Sequence, residues 1–148
     1  MSMVFAWFLA VIFQNDTAKA MFILYSIIVG IAMSLIYHLV TTTRWQDWPS
    51  DQPYLPAEYA NDGFVHCTAG DELMIAVANR FYQNVQGDFL LLVIESERLT
   101  SPLEWEAPSP GDTLAPLFPH IYGPINRDAV VATKSITRAN DGRFLTIA

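Results

Sequence analysis

The sequence is poor in positive charge. Eight Lys and Arg stand against fifteen Asp and Glu, for a formal net charge of −7 and a pI near 4.7. A protein that grips a nucleic-acid backbone needs a basic stripe, so that function class is excluded, and any anionic ligand must rely on one or two chosen arginines plus backbone amides. Cysteine is nearly absent too. The single Cys67 excludes an internal disulfide and a cysteine-based zinc cluster, and it fits a reducing, cytoplasmic compartment. Secretion is disfavoured because no positive charge precedes the first apolar run, Val4 to Phe13.

What the chain does have is a long apolar leader. Ala20 to Tyr37 is close to the shortest run that can span a bilayer as a helix, so residues 20–37 are a candidate membrane anchor. Residues 35–40, LIYHLV, also read as the first strand of a folded domain, and Met33 stands just before them. The expected organisation is therefore a hydrophobic leader over 1–32, either an anchor or an upstream extension of the reading frame, followed by one domain over 33–148.

Within that domain Thr41-Thr42-Thr43 offers caps for a short helix carrying Arg44, Trp45 and Trp48. Prolines 49, 53 and 56 hold an extended loop. Asn61-Asp62-Gly63 reads as a turn into the strand Phe64–Cys67, and Thr68 as the cap of a helix in which Leu73, Val77 and Phe81 repeat at helical spacing. FLLLVI, residues 89–94, predicts a central strand buried on both faces. LEWE at 103–106, FPHIY at 118–122, AVVATKSI at 129–136 and RFLTI at 143–147 supply further strands, so the class is α+β.

All three histidines fall in these strands or at their ends: His38 in LIYHLV, His66 in FVHC and His120 in LFPHIYGP. A neutral imidazole donates through one nitrogen and accepts through the other, which suits a ribose diol, and it titrates near neutrality, which suits acid–base work. A cleft formed by the three, with Thr68 and Tyr122 at its rim, is one expectation. Arg44 and Arg127 are the cations nearest to His38 and His120 in sequence, and the helix start after Thr68 offers amides to a pyrophosphate. A three-histidine metal site and a non-catalytic ligand-binding module remain as alternatives. Cys67 and the tryptophans 45 and 105 read as core, and Glu95 as a strand-end or a cleft carboxylate.

The motifs IYHLV, GFVHCT, ANRFY, LLLVIESERL, LEWE and HIYGPINRDAVV, in this order, resemble the domain of unknown function 952 family. The resemblance implies a split, mostly antiparallel sheet with short helices, like that of ADP-ribosyltransferases and tRNA 2′-phosphotransferases. It further implies NAD or a related nucleotide as ligand, transfer of ADP-ribose or a 2′-phosphate as activity, and catalytic roles for His38, His66 and His120. Arg44, Thr68, Tyr122 and Arg127 would bind the ligand. The glutamate common at the last position of the transferases is not evident.

Overall fold

The computed structural model describes residues 35–109, 111 and 115–148. Expectations for the leader, its helix over 20–34 and a start at Met33 lie outside these residues. The proposed membrane run does reach them at one end, and there it fails. Residues 35–37 belong to β1, Leu35–Thr41, and a strand is not the last turn of a spanning helix. Among the described residues no helix is long and apolar enough to cross a membrane.

The domain is α+β with antiparallel sheets and few short helices. After β1 come α1 (Thr42–Asp47), α2 (Tyr59–Asp62), β2 (Val65–His66), α3 (Asp71–Phe81), β3 (Phe89–Glu95), β4 (Leu103–Glu106), β5 (Phe118–Ile121), β6 (Val130–Arg138) and β7 (Phe144–Ile147). Strands β1-β3-β6-β7 form one sheet and β2-β5-β4 the other. Among the described residues a single bridge connects them, in which Tyr37 and Thr68 exchange two backbone hydrogen bonds of 2.8 and 2.9 Å.

β3 lies between β1 and β6, as the FLLLVI run requires, and both its faces are covered. Side chains alternate across a strand. Ile36, Val40, Leu92 and Ile94 therefore join Val65, Cys67 and Ile121 of the smaller sheet in one core. Tyr37, Leu39, Leu91 and Val93 join Met74 and Ala78 of α3 and Phe144 in the other. His38 shares the parity of Ile36 and Val40, so its ring turns toward the smaller sheet.

Two local expectations change. Thr68 does not cap α3, because its backbone is committed to the bridge with Tyr37; Gly70, at φ +87°, is the N-cap, and no side chain bonds there. The buried stripe of α3 is Met74 and Ala78, whereas Phe81 is exposed. Asn61-Asp62-Gly63 is the end of the one-turn α2, with Gly63 as its left-handed cap, rather than an isolated turn.

Candidate functional site

A cavity of about 290 Å³ opens where β1, the 54–58 segment and β2 meet the start of β3. His38 lines it and is buried. Its Nδ1 lies 2.9 Å from the carbonyl oxygen of His66. A carbonyl only accepts, so Nδ1 carries the proton. Burial pushes the pKa of this ring below the ordinary value, which the backbone bond and Glu58 only partly oppose. The neutral ring then has a bare lone pair on Nε2. That nitrogen is buried without a hydrogen-bond partner.

Around His38 the wall includes five aromatic rings, those of Tyr54, Phe64, His66, Tyr82 and Phe89. Tyr54 is sealed into the core between Trp45 and Trp48, and burial, partly offset by Arg44, pushes its phenol up to about 12, so it stays a neutral group. Arg44 and Glu58 add one cation and one carboxylate to the lining. Arg44 is itself anchored, donating from Nη2 to the Leu55 carbonyl at 3.1 Å and lying 4.8 Å from the Trp48 ring centre.

His66 reaches the cavity from β2, and its Nε2 is 3.1 Å from the Asp62 carboxylate. Its neighbour Cys67 points the other way into the core, where burial pushes the thiol pKa far up and leaves it inert. His120 faces His66 directly in the β2–β5 register, with ring centres 5.3 Å apart, yet it does not line the cavity. Phe64 stands between, stacked on His120 at 4.1 Å and an interplanar angle of 27°.

His120 has partners that the sequence alone does not single out. Glu106 Oε2 lies 2.7 Å from His120 Nδ1 and accepts a second bond of 2.7 Å from the Tyr122 hydroxyl. These bonds hold the Glu106 carboxyl below its ordinary range and raise the Tyr122 phenol. The signal is present in the sequence as the alternation of LEWE. Its pairing with FPHI sets Glu104 opposite His120 and Glu106 one step along the same face.

The remaining expected ligand residues are elsewhere. Thr68 and the start of α3 do not line the cavity, so the amides after Thr68 are not available to a pyrophosphate inside it. Tyr122 belongs to the Glu106 cluster. Arg127 donates to the carbonyls of Trp48, Pro49 and Gln52 and lies 4.0 Å from the Trp45 ring centre, which makes it a staple for the 48–53 loop. Glu95 pairs with Arg98 at its strand end. Of the three imidazoles His38 and His66 line the cavity and His120 does not, and among the described residues no group of three or more His, Cys, Asp or Glu side chains is placed to hold a metal ion.

The domain is similar to solved structures of protein CC0527 from Caulobacter crescentus. A crystal structure of that protein is 29% identical, with 75% of this chain and 93% of that one covered and a TM-score of 0.63. A double-mutant form gives 28% identity, the same coverage and a TM-score of 0.62. The solution NMR structure gives 29% identity, 74% and 90% coverage and a TM-score of 0.57. No curated protein matches the chain. Residues 39–133 match the family described as "Protein of unknown function (DUF952)", a span that includes His66, Glu106 and His120 and begins one residue after His38. The chain belongs to this DUF952 family.

Proposed function

We propose that the cavity binds NAD or a related nucleotide, with a ribose hydroxyl donating to His38 Nε2, and that the domain transfers ADP-ribose or a 2′-phosphate group. The reading extends to the fold, as a split antiparallel sheet of the ADP-ribosyltransferase kind; in its support are two antiparallel sheets joined at one bridge beside the cavity.

The observation that carries the proposal is the buried, unpartnered Nε2 of His38. Leaving an acceptor buried and unsatisfied costs about 1–3 kcal/mol, which a ligand hydroxyl offsets once the lining side chains shift to open Nε2, closed to water in the empty cavity. The aromatic wall suits the flat face of a base. At about 290 Å³ the cavity is near the lower end of the range for small-molecule sites, roughly 300–1,000 Å³. It suits a sugar with one ring system and leaves the rest of a dinucleotide outside. One anchored Arg44 against one Glu58 gives a lining that does not favour phosphate, which agrees with that division.

In this reading His38 orients the sugar, the aromatic wall excludes water, and Arg44 and Glu58 fix the ring that enters. A non-catalytic binding module is the second reading. Its support is that His120, the residue best arranged for proton transfer, stands outside the cavity.

Thermal unfolding of the full chain with NAD, ADP-ribose and 2′-phosphorylated nucleotides tests the proposal. A specific ligand at a hundred times its Kd adds about 2.7 kcal/mol of stability. The His38→Ala variant, checked for folding by circular dichroism, should lose that shift. If none of the nucleotides raises the Tm of the unmodified chain, the nucleotide reading falls. Saturable binding with no release of nicotinamide or phosphate favours the second reading.

A further inference from the structure

We infer that Glu106 is the positioning residue of a second proton-accepting centre, His120, which lies one ring behind the cavity wall and takes a proton at Nε2 from an acceptor hydroxyl, amine or water. Its catalytic use rests on the transferase reading above; the arrangement of the ring itself does not.

Three features support it. The first is the direction of the bond. An ionised carboxylate only accepts, so the 2.7 Å contact between Glu106 Oε2 and His120 Nδ1 puts the ring proton on Nδ1. The neutral ring then presents its lone pair at Nε2. No hydrogen bond to that nitrogen is found among the described residues, and the His120 side chain is 11% exposed. The second feature is rigidity. Phe64 is stacked on one face of the ring, the His66 ring meets it edge to face, and Tyr122 donates to the same Glu106 oxygen, which fixes the carboxylate in turn. A base held this way is preorganised, and a positioned base contributes typically ~10²–10⁴-fold to a rate.

The third feature is location. Phe64 and His66 line the cavity on one side and touch His120 on the other. A ligand in the cavity is therefore separated from His120 by the Phe64 and His66 rings alone, and its acceptor would have to approach around them. One proton moves, from the acceptor O–H or N–H to Nε2, while the acceptor atom bonds C1′ of the ADP-ribose and the C1′–nitrogen bond breaks to release neutral nicotinamide. The imidazolium so formed faces the Glu106 carboxylate, and the proton returns to water when the site empties.

The test uses the full chain and two substitutions at Glu106. At about pH 9, where histidine is neutral, ring ¹⁵N shifts should show His120 protonated on Nδ1. Glu106→Gln keeps an accepting oxygen and should retain that tautomer, whereas Glu106→Leu should lose it. With NAD as donor, Glu106→Leu should lower kcat about 100-fold and leave KM within about twofold, and Glu106→Gln should fall between it and the unmodified chain. A His120 proton on Nε2 in the unmodified chain overturns the inference, as does an unchanged kcat in a Glu106→Leu variant that has lost the tautomer. If the unmodified chain neither binds nor cleaves NAD, the nucleotide reading fails while the base is still judged by its chemistry. Diethyl pyrocarbonate should then acylate His120 in the unmodified chain, as read by peptide mass spectrometry, and about tenfold more slowly in Glu106→Leu; an unreactive His120 sinks the proposal.

Discussion

The main-chain carbonyl of His66 accepts from Nδ1 of His38: the two residues lie on strands of different sheets, and the 2.9 Å bond between them leaves Nε2 of His38 without a hydrogen-bond partner. Because the partner is main chain, a His66→Ala substitution should leave His38 in place. The expected result is an unaltered His38 ring signal in NMR, and a large displacement would show that the His66 ring holds the site.

His38 should also make the domain acid-sensitive. Its folded pKa is depressed, so the unfolded chain binds the extra proton first as pH falls. The stabilising contribution is complete above about pH 6.5 and is lost below it, with a slope of up to about 1.4 kcal/mol per pH unit from this one group. Thermal unfolding of the unmodified chain and of His38→Asn across pH 5–8 measures this. Curves that stay parallel below pH 6.5 would contradict it.

Arg127→Lys should destabilise the fold although it preserves charge. Lysine does not reproduce a planar fork that donates to three carbonyls while lying on Trp45. A loss of about 2 kcal/mol is expected in urea denaturation. A loss of nucleotide affinity with unchanged stability would restore Arg127 to the ligand site.

Two glycines provide a controlled comparison. Gly63 and Gly142 both have φ near +80°, which strains any replacement side chain. A methyl at Gly63 meets nothing within 4 Å, whereas one at Gly142 runs into the Gln83 carbonyl. Gly142→Ala should therefore lower the Tm by clearly more than Gly63→Ala. Equal effects would mean the backbone near Gln83 yields freely.

In the central strand, Leu92→Ala should cost about 2–5 kcal/mol, because Leu92 is fully buried between two covered faces. Urea midpoints measure this, and a cost below about 1 kcal/mol would mean that the core closes over the gap.

This strand is legible in the sequence because burial on both faces leaves a continuous apolar run, bounded by charge and too short for a helix of its own. Helix α3 is legible too, but its buried face is not. Spacings of four place Leu73, Val77 and Phe81 on one stripe and Met74 and Ala78 on the next, and only tertiary packing decides which is buried. Thr68 misleads for a related reason, since a threonine before a helix looks like a cap whether or not its backbone belongs to a sheet. The histidine positions are legible as apolar-strand histidines. Their division between a cavity and a carboxylate pair is not, because it depends on Phe64 stacking on His120 at the cavity wall and on Glu106 meeting His120 from the neighbouring strand. Arg127 reaches back more than seventy residues to its carbonyls, a distance at which local pattern carries no information.

The Tyr37–Thr68 bridge has a mechanical consequence. Two hydrogen bonds form the strand-to-strand link between the sheets, and His38 is the next residue along β1. The bridge and the bond from His38 Nδ1 to the His66 carbonyl tie the same stretch of β1 to the smaller sheet. A substitution that opens the joint between the sheets should therefore also displace His38.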